Sequence, residues 1–434
     1  MAFSHYCLLL RTGLLTLATL AAQCAVAGAP GLADALRLTL PQAEARFLDR
    51  NLALLAQRYN VTAAQAQIAQ ARVWDNPYVS IEQNTYNPQT ERYFDITRTG
   101  NTAVQVTQLF AIAGRRRLAG HVAEQAARAE QFTLQDLLRS LRYELRTSFY
   151  DLYFAEQSLG VYDSEIGIIR RTVALFQDQY EKGNKALSEV IRLRAFLFEL
   201  ESSRQNVWRE TVRQQADLRV LLADEPTQAY QPLADAAALR KLGLGAAPPL
   251  AALADSAIAF RADVLARQAL VGQQEQNVRL QRALAAPDLT LGYVYDRAGN
   301  YIQNYNALSA GLAVPIFNHN QYNQRTARAQ LGVSQAGLAQ TQVQARSEVA
   351  EAYALAAETD RLYQSSGIET GEFDKLMADL ETSYARRSLP LLEFLDLYES
   401  YTNDQVLRNT LSASRQRAFE QLNFAVGRLV VAAP

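Results

Sequence analysis

The sequence predicts an internally duplicated α+β membrane protein in which short strands alternate with very long helices. Three observations carry that expectation. First, the stretch ALSAGLAVPIFNHN at 307–320 joins a strand pattern to a helical one. Leu308, Ala310, Leu312 and Val314 fall on one face and Ala307, Ser309, Gly311 and Ala313 on the other, as in a strand between two environments. Pro315 has no N–H and closes the ladder. Asn318, His319 and Asn320 then offer helix caps, and about seventy positions follow without proline. Second, the same transition occurs at 102–120, where TAVQVTQLF leads into AIAGRRRLAG. Pro77 and Pro287, Phe110 and Phe317, and Tyr180 and Tyr384 form equivalent pairs 210, 207 and 204 positions apart. A unit of roughly two hundred residues is therefore repeated in tandem. Third, the chain is 49% hydrophobic with a mean hydropathy of -0.16, and beyond its N-terminus it has no apolar run near the length of a membrane-spanning helix.

The N-terminus reads as a secretory signal over residues 1–27. Arg11 precedes an apolar core at 14–22, and Ala25-Val26-Ala27 fits a small-x-small cleavage site. A membrane anchor is the alternative, for which the apolar core is short. Cys24 offers a second one, lipidation, for which the preceding Gln23 is a poor fit. Cys7 and Cys24 are the only cysteines, so a chain cleaved after Ala27 has no disulfides or thiolate metal sites and relies on burial and oligomeric contacts. The formal net charge of -1 gives no reason to expect nucleic acid.

The first repeat is expected over 28–223. Thr39, Pro41 and Glu44 resemble a helix start, and that helix runs to about Asn76 with a break near Asn51. Strands at 78–86 and 102–110, joined by a polar loop, form a hairpin. From Gly114 to about Glu181 nothing breaks the helical pattern, a length of roughly 100 Å at 1.5 Å per residue. Near its end Tyr162, Ile166, Ile169, Val173, Phe176 and Tyr180 make a heptad seam. Lys182-Gly183-Asn184 supplies a glycine C-cap, and a return helix from Leu187 carries Val190, Leu193, Leu197, Leu200 and Val207 on its own seam. Residues 224–249, rich in Pro, Ala and Gly, read as a connector or small side domain. The second repeat, 250–434, follows the same order: a helix over about 249–286, strands at 288–296 and 307–314, a long helix to about Tyr384, a tip, and a return helix to about Val426. In the third strand Leu289, Leu291, Tyr293 and Tyr295 oppose Asp288, Thr290 and Gly292, the pattern of a strand with lipid outside and water inside.

Four strands are too few to close a barrel, and an open strand edge in lipid leaves backbone groups unpaired at several kcal/mol each. Several copies must therefore share one barrel, and seam-bearing helices with polar opposite faces would close into a tube on the same axis.

The chain resembles the TolC-type outer-membrane efflux family. The resemblance rests on Pro77; Gln108-Leu109-Phe110 with Gly114-Arg115-Arg116; and Tyr180, Gly183, Leu187, Ser188 and Val190. In the second half it rests on Ala286-Pro287-Asp288-Leu289, Gly311-Leu312-x-Val314-Pro315-Ile316-Phe317-Asn318, and Tyr384 with Ser388, Leu391, Leu392, Leu395 and Asp396. It spans about Thr39 to Gly427. It implies a homotrimer with a twelve-stranded barrel in the outer membrane and a helical periplasmic tunnel, working with a periplasmic adaptor and an inner-membrane pump, proton-driven in the expected case. The Gly-Arg-Arg run is similar to that of the subgroup paired with heavy-metal cation pumps. The implied function is a passive exit duct for small solutes or metal cations. A channel for type I protein secretion shares the fold, and a soluble periplasmic coiled-coil scaffold is a second alternative.

Candidate functional residues follow. Asp374 and Asp379, with Glu372 and Glu381, cluster before the second tip; in a trimer an inward carboxylate becomes a ring that favours cations. The family narrows its tunnel with acidic rings there, but the spacing does not match residue by residue, and a solvated helix face is the competing reading. The exposed tips Lys182, Gly183 and Asn184, and Arg386, Arg387 and Ser388, are candidates for adaptor contact. Arg387 stands where a glycine is expected, and Pro390 follows in the first turn of the return helix. Tyr180 and Tyr384 read as core. Arg115, Arg116 and Arg117 sit at a helix start, where the dipole disfavours cations, so lipid phosphates or a neighbouring chain would hold them. Trp74, Tyr78, Tyr293 and Tyr295 form either an interfacial aromatic belt or buried packing. His121, His319 and Met377 are isolated, so no metal site and no cofactor are expected, and no nucleophile, base and orienting group gather to suggest an enzyme.

Overall fold

A computed structural model of the chain describes residues 35–298, 302–367 and 389–432. Strand β1 (Leu36–Thr39) passes directly into helix α1 (Leu40–Arg50), where the Thr39 amide donates to Gln42 Oε1 at 3.0 Å and Pro41 occupies the first turn. Asn51 breaks the helix as the sequence predicts. Its backbone is extended, its side-chain oxygen caps Leu54, and helix α2 (Leu52–Gln70) begins. Strand β2 (Tyr78–Gln83), a small hairpin of β3 (Tyr86–Asn87) and β4 (Arg92–Tyr93), and strand β5 (Thr102–Phe110) follow. Next come the long helix α3 (Arg115–Glu181) and its antiparallel return α4 (Leu187–Leu222). The connector holds strand β6 (Tyr230–Leu233) and helix α5 (Ala236–Lys241). The second repeat runs α6 (Leu250–Phe260), α7 (Ala262–Ala283), β7 (Leu289–Asp296), β8 (Tyr305–Leu312), α8 (Gln321–Ser365) and α9 (Leu391–Val426).

One expected helix, 249–286, is two. Arg261 is extended (φ -64°, ψ 126°) and lies 210 positions after Asn51, the same spacing as Pro77 and Pro287. Its guanidinium, 3% exposed, donates to Asp263 at 2.8 and 3.0 Å, to Glu348 at 2.6 Å and to the Ala425 carbonyl at 3.2 Å, which fixes the break. The strand-to-helix joints are also duplicated. Gly114 (φ 69°) precedes α3 and Asn320 (φ 61°) precedes α8, both left-handed, and Gly and Asn are residues that tolerate this region.

A four-stranded antiparallel sheet has the order β2-β5-β7-β8, so the two repeats meet between β5 and β7. Its strands differ in extent from the sequence reading. β2 stops at Gln83 because Asn84 and Asn101 bond across the loop, Asn84 N–H to the Asn101 carbonyl at 3.1 Å and Asn101 N–H to Asn84 Oδ1 at 3.2 Å. Asp288 is drawn to Arg115 at 2.5 Å, so β7 begins at Leu289. β8 starts at Tyr305, which pairs with Asp296, and ends at Leu312, opposite the first residue of β7. Nothing then remains for the residues before Pro315 to pair with.

Below the sheet, β1 and β6 form a parallel pair beside α1, α3 and α4, around a core that includes Phe47, Leu145, Leu152, Leu222 and Tyr230. A second core joins α6, α8 and α9 through Leu253, Val349, Phe419, Leu422 and Val426. These two cores make a belt around the middle of the helices. The third core lies toward the tip, where Tyr162, Ile166 and Ile169 of α3 meet Leu193, Phe196 and Leu200 of α4 and Phe394 and Tyr398 of α9. The heptad seam read from the sequence is this core, with Val173 and Phe176 at its margin, except that Tyr180 is exposed rather than packed.

Buried arginines clasp the belt. Arg415 of α9 donates to Asp360 of α8 at 2.8 Å, to the carbonyls of Leu239 and Leu242 in the connector, and lies 4.0 Å from the Tyr363 ring centroid. Asp360 also accepts from the Leu244 amide and from Gln364, both at 3.1 Å. Arg146 of α3 bridges Glu44 of α1 at 2.6 Å and Glu420 of α9 at 3.2 Å, joining the two repeats. Removing one partner of a buried pair strands the other charge, so Asp360→Ala should destabilise the belt by about 3–5 kcal/mol, read by chemical denaturation. A loss under about 1 kcal/mol would show that the connector is held by packing alone.

Candidate functional site

The register of the sheet assigns every strand residue to a face. Val79, Val106, Tyr293 and Leu308 form one cross-strand row, and Ile81, Val104, Tyr295 and Asn306 the next. Phe110, Leu289 and Leu312 continue that face toward the helices. The opposite face carries Ser80, Glu82, Gln105, Thr107, Thr290, Gly292, Ser309 and Gly311. Gly292 is required there, because a Cβ would stand 2.5 Å from Ser309 Oγ and 3.1 Å from Thr107 Cγ2. The apolar face is uncovered: Leu308 is 88% exposed, Ile81 69% and Val79 55%. Eight strand residues rise about 26 Å, close to the apolar band of about 25 Å that membrane barrels present. Among the described residues the outer edges of β2 and β8 have no partner strand.

The four candidate belt aromatics divide. On the apolar face Tyr293 lies mid-strand and Tyr295 nearer the end away from the helices, their hydroxyls bonded to Asn306 and Asn304. Trp74 is half-exposed at the helix end, edge-on to Phe110 at 5.8 Å with the Arg116 guanidinium 3.2 Å over its ring. Tyr78 pairs with Thr107 on the polar face, so it is no part of a lipid-facing belt. The basic run divides as well. Arg115 is held inside its own chain by Asp288 and by the carbonyls of Ala283 and Ala286, and Arg116 by Trp74 and the Arg72 carbonyl, whereas Arg117 is exposed and unpartnered. Neither expected partner, lipid nor neighbour, applies to Arg115 and Arg116, because the second repeat and Trp74 reach them first.

Beyond the far end of the sheet one residue orders the 84–101 loop. Asp95, 3% exposed, accepts from the Thr97 amide and hydroxyl, from Thr99 and Thr90 at 3.0 Å, and from Asn87 at 3.1 Å. These bonds, Thr97 foremost, hold its carboxyl well below the usual carboxylate range. Arg297 of the second repeat donates to the Ile96 carbonyl at 2.5 Å and ties the two loops together. Nothing in the sequence beyond the surrounding threonines signalled this centre.

At the opposite end α3 closes in a Schellman motif. The Gly183 amide bonds the Tyr180 carbonyl at 2.9 Å and the Asn184 amide the Gln179 carbonyl at 2.8 Å, with Gly183 at φ 76°. Lys182, Gly183 and Asn184 are all exposed. Lys182 bonds Asp178 at 2.7 Å and keeps that carboxyl below its ordinary value. Asp374, Asp379, Tyr384, Arg386, Arg387 and Ser388 lie outside the described residues, as do Met377 and the signal segment. His121 contacts Glu124 at 2.8 Å, a bond that lowers the Glu124 carboxyl, and among the described residues no group of three or more His, Cys, Asp or Glu gathers. Among them too, no helix is long and apolar enough to cross a membrane.

Residues 45–224 match the sequence profile described as "Outer membrane efflux protein". The match covers the first repeat, and makes that part of the chain similar to the outer membrane efflux proteins. The fold agrees with solved channels. CusC, in crystal structures concerned with folding and transmembrane channel formation, superposes with a TM-score of 0.72 at 17% identity, over 90% of this chain and 92% of its own. The CmeC outer membrane channel of Campylobacter jejuni gives 0.73 at 13% identity, over 89% and 85%. The open state of the MtrE channel of Neisseria gonorrhoeae gives 0.70 at 16%, over 90% and 89%. No curated protein matches the sequence significantly. The chain thus has the TolC-type channel fold expected from its sequence.

The face assignment makes a paired prediction. Leu308→Arg places a cation on the lipid face, at a cost of about 2–4 kcal/mol near the midplane, and should block membrane insertion. Ser309→Arg, one residue along on the polar face, should insert normally and lower single-channel conductance. Equal insertion of both variants would invalidate the assignment.

Proposed function

We propose that this chain is the passive exit duct of a tripartite system, a homotrimer that conducts small solutes or metal cations expelled by a proton-driven inner-membrane pump and delivered through a periplasmic adaptor. The observation that carries the reading is the open-edged sheet with one apolar and one polar face. Four strands cannot close, and lipid forbids the edges, so β8 of one copy takes β2 of the next. The helices support the same arrangement. In the wall α4 packs on α3, α3 on α9 and α9 on α8, which leaves α4 and α8 on opposite flanks. Each flank keeps exposed apolar residues: Leu187, Ile191, Phe198 and Val212 on α4, and Val333, Val343, Leu355 and Leu362 on α8. Two different surfaces that meet head to tail close into a ring when the rotation allows.

In this reading the exposed Schellman turn at Lys182, Gly183 and Asn184 docks the adaptor together with Arg386, Arg387 and Ser388, and Arg117 contacts lipid phosphate at the rim of the barrel. Asp374 and Asp379 would form the acidic ring that narrows the tunnel. The Gly-Arg-Arg run supports a cation pump as the partner.

Detergent-solubilised protein, co-purified from its native membrane and weighed, should be a trimer bringing an adaptor and a proton-driven pump. A water-soluble monomer would overturn the duct, and an ATP-driven exporter carrying a protein substrate would replace the solute reading. For the gate, Asp374→Ala with Asp379→Ala should raise conductance and weaken block by divalent cations in planar bilayers. Unchanged traces would remove the ring.

A further inference from the structure

We propose that a recess in the belt, between α3, α9 and the α6–α7 junction, is a binding site for a small oxyanion, a phosphate or carboxylate group in the periplasm. Arg139, Arg142 and Arg146 line it from α3 at a spacing that puts them on one helix face, and Arg428 closes it from beyond α9. Two of these cations are already committed. Arg139 pairs with Asp136 at 2.6 Å and donates to the Phe424 carbonyl at 2.6 Å, while Arg146 holds Glu44 and Glu420. The other two are not. Among the described residues Arg142 has no hydrogen bond or ion pair, and its Nε is buried without a partner. Among the described residues Arg428 meets no carboxylate and rests on the Phe260 ring, 5.5 Å from its centroid. A buried guanidinium nitrogen without an acceptor is costly in a folded chain, and an anion bound in the recess would supply that acceptor.

Size and position narrow the ligand. The cavity holds about 230 Å³, below the roughly 300–1,000 Å³ of pockets for drug-sized molecules, so it suits one oxyanion group with a few waters and not an efflux substrate. Arg428, resting on the Phe260 ring, keeps its N–H edge free, the geometry that recognises planar carboxylates and phosphates in pairs of bonds. Arg142 stands twenty-seven residues along α3 from Arg115, about 40 Å at 1.5 Å per residue, so headgroups of the outer membrane cannot reach it. The recess sits in the belt, since Phe260 of α6 lines it and Arg146 on its wall holds Glu44 of α1.

The test is calorimetric titration of the detergent-solubilised full-length protein with inorganic phosphate and, separately, with succinate, at constant ionic strength in chloride. Saturable binding is expected to at least one of them, weakened at least tenfold by Arg142→Gln and by Arg428→Gln and unaffected by Arg117→Gln. Arg428 is exposed, so its variant keeps the fold even if Arg142→Gln does not. Preference for phosphate would identify a phosphoryl ligand, and preference for succinate an acidic group on a periplasmic molecule. Heats no greater than those of added chloride, or undiminished binding by both variants, would overturn the site. Channel conductance does not enter this measurement, so the duct reading stands or falls separately.

Discussion

A β-strand in hydrocarbon cannot leave its amides and carbonyls unpaired, and this chain carries two strands, β2 and β8, whose outer edges have no partner of their own. Everything above and below the sheet is consistent with that debt being met by other copies. The apolar rows face one way without covering, the polar rows line the other side, and the helices that continue from the strands carry uncovered apolar flanks at the two ends of the protomer wall. In the proposed assembly a subunit alone is an arc of wall whose strand pairing stops at its margins.

Duplication supplies the arc and the belt makes it rigid. The repeats reuse the same joints, a break at Asn51 and Arg261 and a left-handed residue at Gly114 and Asn320, so one geometric solution serves twice. They have also diverged where they meet. Arg146, Arg261 and Arg415 each hold several groups from elements far apart in sequence. Arginine suits this because its planar fork can satisfy two or three acceptors at once in a fixed geometry, which a lysine ammonium on a flexible stem cannot do.

The sequence made the sheet, the long helices and their seams legible, because strand alternation and heptad spacing are local patterns that burial on one face imposes. Leu289, Leu291, Tyr293 and Tyr295 could be placed on one face from spacing alone. Strand ends were less legible, since they depend on where the partner strand stops: β8 ends at Leu312 because β7 begins at Leu289, not because of Pro315. The break at Arg261 was present in the 210-residue spacing but was hidden by the absence of proline or glycine at that point. The roles of Asp95, Arg415 and Arg142 could not be seen, because each depends on residues brought together from distant segments. Tyr180 misled for a related reason: it continues the heptad, but the partner helix has already turned away at the tip.

The unpaired margins of β2 and β8 also have a genetic consequence. A protein whose every subunit is self-contained tolerates a defective copy among good ones. In the proposed ring a subunit that cannot present its edge leaves the neighbours on both sides unclosed, so the fault is shared by the whole assembly. Alleles altering the edge strands should accordingly act dominantly when expressed beside the normal gene, whereas alleles that stop the chain from folding at all should be recessive.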